Sequence, residues 1–322
     1  MFRKTRSYFK TIELTYMEKT EEQKGLFGDI NKDLIATAGE FIGTIMFFIF
    51  SLGSIQTVKA FQKMASNNGE DTQTTSSPSA DAALALVSYF YSAAAFGTSL
   101  FATSTIFYRF TGSIFNPSVS LALYLIGAIK PVRFILVSAA QMAGSLVACA
   151  ILTGLSPIEL DVNVQLQNGT SRTKGVFIEA FSTAGLILSV LMLAAEKHLF
   201  TPFAPMGFAL TLFVIVLYSS PFTGGAVNTA RVFGPSCFQG FSDYHWIYWL
   251  GPTLGSLLAT GAYVFLKAVH YWKITPGQDS TGETLQNDTV QVSEPSRNMS
   301  ERNSRRQSAC SNTPAHSIQN LV

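Results

Sequence analysis

"GGAVNTARVFG", residues 224–234, lies between two apolar stretches and sets an arginine three positions after an asparagine. A guanidinium is costly in hydrocarbon unless it is paired or borders water. A second stretch, "TGSIFNPSVS" at 111–120, also places an asparagine among apolar residues. Asn116 and Asn228 stand 112 positions apart.

The 322-residue chain is 48% apolar and only 13% charged, with 26 phenylalanines. Soluble domains carry about 25% charged residues. This deficit, with long uncharged runs, indicates a membrane protein. The net charge of +2 says little about partners because the charges are segregated, and no nucleic acid is expected. Cys149, Cys237 and Cys310 are too widely spaced for a disulfide framework or a zinc site. No cofactor or metal is expected. Residues 1–33 are polar, and the first apolar run is too long for a cleavable leader.

Six stretches suit spanning helices of about 20 residues. They are 34–57 with Glu40, 83–108, 131–154 with Arg133, 175–195 with Glu179, 203–220, and 245–270 with Lys267. Two further apolar segments, 117–128 and 229–240, are too short to cross, and each begins directly after one of the asparagines. The chain thus divides into an N-terminal segment 1–33, a transmembrane domain 34–270 and a tail 271–322. The tail's Ser- and Arg-rich composition reads as disordered.

An even number of spans leaves both ends on one face. Seven Lys/Arg precede the first span, five follow residue 270, and Arg109, Lys130, Arg133 and Lys197 lie in connections on the same face. The other face has Lys59, Lys63, Arg172 and Lys174. The positive-inside rule makes both termini cytoplasmic. Residues 58–82 are expected to form an external polar loop. "NGT" at 168–170 falls in another outer loop, making Asn168 a glycosylation candidate. In the tail, Ser308 follows Arg305 and Arg306 at the spacing basophilic kinases read. The plainer reading is a solvated serine.

The halves repeat each other. "GEFIGTIMFF" around Glu40 is echoed by "IEAFSTAGLIL" around Glu179, and "QMAGSLVA" at 141–148 by "PTLGSLLA" at 252–259. With three spans per half (34–154 and 175–270), the second copy starts from the opposite face. That is an inverted repeat, which places a transport site near the midplane at discontinuous helices.

Irregular backbone inside a bilayer survives only beside water or buried in protein. Asn116 followed by Pro117 is a favourable N-cap and first-turn pair. Thr229 takes the proline's place after Asn228. Two half-helices entering from opposite faces bring their N-termini together, and their positive dipole ends repel cations. Each asparagine amide is then placed to donate to a passing water and interrupt a proton wire. Arg231 narrows the path and repels cations.

At this point the residues resemble the aquaporin (major intrinsic protein) family, and its fungal water channels in particular, over roughly residues 34–270. "NPS" (Asn116, Pro117, Ser118) and "NTA" (Asn228, Thr229, Ala230) are similar to the family's paired boxes, with Ser118 for an alanine and Thr229 for a proline. The resemblance implies an all-α membrane fold of six spans and two re-entrant half-helices, a homotetramer in the lipid bilayer, and a passive channel for water. Hydrogen peroxide, similar to water in size and hydrogen bonding, is the expected second substrate. It also implies a four-residue filter, which ungapped counting from the asparagines places at Phe96, Val216, Gly225 and Arg231. Water-selective members usually have histidine where Val216 stands, so a relaxed filter is expected. Val232, Ser236, Tyr248 and Trp249 favour the water type over the glycerol type.

Competing readings concern the role of each residue. Glu40 and Glu179 are read as acceptors for the re-entrant backbone rather than proton relays, and His198 and His245 as interfacial residues rather than pH sensors. Gly43, Gly144, Ser145, Gly185, Gly255 and Ser256 suit close helix crossings. A facilitator of glycerol or other small neutral solutes is the alternative function. A secondary transporter lacks the intramembrane charge pairs needed for coupling, and an enzyme lacks a nucleophile–base pair.

Overall fold

The computed structural model describes residues 30–67 and 78–275, and every regular element among them is helical. The elements are α1 (Ile30–Asn67), α2 (Pro78–Thr111), α3 (Pro117–Leu125), α4 (Pro131–Leu155), α5 (Arg172–Val190), α6 (Ala204–Thr223), α7 (Thr229–Gln239) and α8 (Ile247–Ala268). A π-helical turn, Leu191–Ala195, extends α5. Six are long and apolar enough to cross a membrane. α3 and α7, with 9 and 11 residues, are not.

The packing follows the repeat. α1 lies on α4 as α5 lies on α8, and α1 on α2 as α5 on α6. Small residues allow the closest approaches. A Cβ on Gly144 would lie 2.9 Å from the Phe41 carbonyl oxygen, and one on Gly255 would lie 2.6 Å from that of Ala180. Gly185 is different: its nearest neighbour would be Ile215 Cδ1 at 3.5 Å, so close crossing does not require it. Between the halves, α4 packs on α7 and α8 on α3. Each half-helix is therefore braced by the opposite half.

The first two helices are longer than the apolar runs that locate them. Residues 58–67 and 78–82, expected in a loop, continue α1 and α2. Gln56 marks the level of the far end of α4, since its Nε2 donates to Ser156 Oγ (2.9 Å) and to the Glu159 carbonyl (2.8 Å). The remaining 11 residues of α1 rise about 16 Å above that level at 1.5 Å per residue. Lys59, Gln62, Lys63, Ser66 and Asn67 lower the hydropathy of this stretch without ending the helix, which hydropathy alone does not separate from a loop. At the other end, Tyr271–Lys273 form a short 3-10 turn within the segment assigned to the tail. Most of the N-terminal segment, the rest of the tail, Ser308 and Cys310 lie outside the described residues.

Candidate functional site

The site begins with two carboxylates. Glu40 on α1 and Glu179 on α5 are fully buried. Glu40 accepts from the backbone N–H groups of Ile114 (3.1 Å) and Phe115 (2.8 Å), and Glu179 from those of Ala226 (3.1 Å) and Val227 (2.7 Å). These are the N–H groups of the irregular stretches ahead of α3 and α7, which no helix satisfies. The two stretches share an unusual backbone. Phe115 and Val227 have φ of 46° and 44°, Ser113 and Gly225 have 56° and 64°. For a β-branched valine this is a strained conformation that persists only when its surroundings hold it. The Glu179 bond to its N–H supplies part of that hold.

Each carboxylate also has a threonine partner, Thr111 for Glu40 and Thr223 for Glu179, and the first half adds a glutamine. Gln141 Nε2 donates to Glu40 (2.8 Å), and its Oε1 accepts from Ser120 on α3 (3.2 Å). Glu179 receives the Thr223 hydroxyl at 2.6 Å and has no glutamine beside it at the repeat position. Pro252 stands at the repeat position of Gln141 and cannot donate.

Each asparagine does two things. Asn116 Oδ1 accepts from Ser118 N–H (2.9 Å), and Asn228 Oδ1 from Ala230 N–H (2.9 Å), capping α3 and α7. Asn116 Nδ2 donates to the Val227 carbonyl (2.8 Å), and Asn228 Nδ2 to the Phe115 carbonyl (2.9 Å). Both amides therefore have one N–H committed to the opposite half and one remaining. Pro117 opens α3, whereas Thr229 opens α7 with its buried hydroxyl lacking a hydrogen-bond partner among the described residues. Ser145 Oγ donates to the Ala230 carbonyl (2.6 Å) and Ser256 Oγ to that of Ser118 (2.7 Å). Composition alone marks these serines as small packing residues. Their shared place in "GSLVA" and "GSLLA" is the signal that they act as a symmetric pair.

Two cavities meet near this junction. One, lined by Phe47, Leu100, Phe115, Asn116, Leu212 and Asn228, reaches Phe96 and Arg231. The other opens on the opposite side and is walled by α1 and α2 (Lys59, Gln62, Tyr89) and by Asp161, Asn163 and Gln167. Phe96 and Arg231 border both. Arg231 is 2% exposed, its guanidinium carbon stands 5.3 Å from the Phe96 ring centroid, and its Nε and Nη1 have no hydrogen-bond partner among the described residues. Val216 borders the second cavity. Gly225 packs beside it: a Cβ there would meet Val216 Cα at 3.4 Å. The four positions expected in a filter thus lie at or beside the junction of the cavities.

The wall around the second cavity is pinned by polar bonds. Lys59 pairs with Asp161 (3.0 Å), and Tyr89 donates to Gln167 (2.9 Å). The Gln239 amide donates to the Leu160 carbonyl (2.7 Å). Ser236 contacts Asn163 Oδ1 (3.2 Å) and His245 Nδ1 (3.4 Å). Burial pushes the His245 imidazole below the ordinary histidine range. Exposed Asn168 has φ 51° and donates from Nδ2 to the Pro221 carbonyl (2.6 Å). At the other membrane face, burial works against ionisation of Glu196. Hydrogen bonds from Lys267 (2.9 Å) and Tyr263 (2.8 Å) nevertheless hold its carboxyl below the usual range.

Comparison with known proteins agrees with this architecture. The family model "Major intrinsic protein" matches residues 30–263. Aquaporin-1 of Laccaria bicolor is 46% identical over 254 residues, covering 79% of this chain and 78% of the relative. Aquaporin-2 of Botryotinia fuckeliana is 41% identical over 264 residues, covering 82% and 67%. Among solved structures, the aquaglyceroporin from Plasmodium falciparum superposes with a TM-score of 0.54 at 17% identity, covering 73% of this chain and 95% of its own, a likeness of fold. The chain belongs to the aquaporin (major intrinsic protein) family and is a multi-pass membrane channel.

Proposed function

We propose that the channel conducts water passively, takes hydrogen peroxide as a second substrate, and excludes protons and other ions. The observation that carries this reading is the reciprocal pair of bonds between the asparagine boxes. With one N–H of each amide committed, the other has a fixed direction into the path. A water that accepts from it is oriented with its own hydrogens away from the centre, which breaks a chain of proton transfer. The positive ends of α3 and α7 and the Arg231 charge oppose cations at the same place. The aquaporin names of the fungal relatives support the water assignment.

Phe96, Val216, Gly225 and Arg231 form the filter. Val216 offers no donor and less bulk than a histidine, which admits peroxide. The aliphatic Val216 also favours a second reading, facilitation of glycerol or another small neutral solute. Val232, Ser236, Tyr248 and Trp249 weigh against it by their resemblance to the water type. Peroxide entry into proteoliposomes holding an internal peroxide-sensitive dye separates the two. Uptake well above that of empty vesicles, with glycerol flux at background, fits the proposal. Rapid glycerol flux overturns it.

The working assembly is a homotetramer in the plasma membrane, each protomer with its own path and both termini cytoplasmic. Asn168 is the proposed glycan acceptor. A glycan on Nδ2 leaves one N–H for the Pro221 carbonyl. Ser308 is the proposed site for a kinase acting on the tail.

A further inference from the structure

We infer that Phe47 is a positioning residue for the filter, setting its aperture by holding the Phe96 ring. The inference rests on the filter reading above. Phe47 lies seven residues after Glu40 on α1, two turns along the same wall. It borders the cavity that runs from the asparagines to Arg231. Its ring meets that of Phe96 edge-on, with centroids 6.0 Å apart and planes at 75°, and stacks on Phe115 at 6.3 Å and 22°. Phe96 is therefore held from two directions, by Arg231 at 5.3 Å and by Phe47. Phe115 is itself fixed, through its N–H on Glu40 and its carbonyl on Asn228. A continuous run of ring contacts, one stacked and one edge-on, thus links the asparagine junction to the filter, and Phe47 is its middle member.

The consequence follows from size. Phe96 is a bulky wall of the junction, and Val216 adds little bulk. An aromatic ring rotates readily about its first two side-chain bonds unless its neighbours block it. With Phe47 truncated, the Phe96 ring gains room to swing toward α1, and the opening beside Arg231 widens. The Arg231 charge and the asparagine amides stay in place, so solute size discrimination relaxes while ion exclusion does not.

The test uses the full chain reconstituted in vesicles at known protein density, with water and glycerol permeabilities measured on the same preparation. Phe47→Ala should raise the glycerol-to-water ratio about tenfold, the scale on which small changes in pocket size alter discrimination. Phe47→Leu, which preserves more of the packing, should give a smaller rise in the same direction. Conductance should remain at the wild-type level in both. Phe96→Ala is the reference. If it raises the ratio and neither Phe47 variant does, the inference is overturned while the filter reading stands. If Phe96→Ala also leaves the ratio unchanged, the filter reading falls and this inference with it. A general loosening of the fold would raise conductance along with glycerol flux, and that result also overturns the inference.

Discussion

Ser145 and Ser256 occupy equivalent positions in the two halves, and each donates to a carbonyl in the opposite half: Ala230 for Ser145 and Ser118 for Ser256. With the exchanged asparagine bonds, this makes each half-helix depend on the other half for its placement. Removing either hydroxyl should cost about 1 kcal/mol, the net worth of an intramolecular hydrogen bond. Ser256 also shares its hydroxyl with the Pro252 carbonyl (3.0 Å), so Ser145→Ala should be at least as damaging as Ser256→Ala. Thermal melting of the purified protein in mild detergent measures both. Unchanged midpoints would mean these contacts contribute nothing to holding the half-helices.

Glycine at the helix crossings gives a sharper contrast. Gly255→Ala drives a methyl against the Ala180 carbonyl oxygen at 2.6 Å and Thr183 Cβ at 2.7 Å. Backbone cannot yield there without separating α5 from α8, so a loss of about 1–3 kcal/mol is expected. Gly185→Ala meets only Ile215 Cδ1 at 3.5 Å. It should be neutral or stabilising, because alanine is the better helix former by about 1 kcal/mol. Equal effects of the two substitutions in the same melting experiment would contradict the crossing geometry.

Much of the architecture was legible in the sequence because the inverted repeat leaves marks at fixed spacing. Asn116 and Asn228, Glu40 and Glu179, and the two "GSL" segments are pairs that a single-copy fold has no reason to keep. The lengths of α1 and α2 were less legible. A helix that continues past its apolar run and a polar loop have similar hydropathy, so residues 58–67 read as loop. Gln141 was missed because its role has no counterpart in the second half, where Pro252 stands. The Thr229 hydroxyl, which has no hydrogen-bond partner among the described residues, and the Ser236–Asn163–His245 contacts depend on three-dimensional placement that no spacing reveals.

Val216→His should narrow the filter and add a donor beside Phe96 and Arg231. Peroxide permeability should fall relative to water, by about tenfold if the side chain enters the path. Parallel peroxide-dye and swelling measurements on one preparation give the ratio. A ratio equal to wild type would remove Val216 from the filter.

Arg231→Val should remove the fixed charge at the junction of the two cavities and widen it. Larger neutral solutes should then pass, with a rise in proton or cation conductance. Voltage clamp and glycerol uptake in cells with verified surface protein report these separately. If neither flux changes, Arg231 does not guard the path.

The central claim, that the chain is a passive water channel, is tested most directly by stopped-flow light scattering of proteoliposomes under an osmotic step. The initial rate should be measured across temperatures, with and without an imposed proton or sodium gradient. A passive channel gives fast shrinkage with weak temperature dependence, close to that of water diffusing in bulk, and the same rate with or without the gradient. Rates equal to those of protein-free vesicles, or rates that follow the ion gradient, would contradict it.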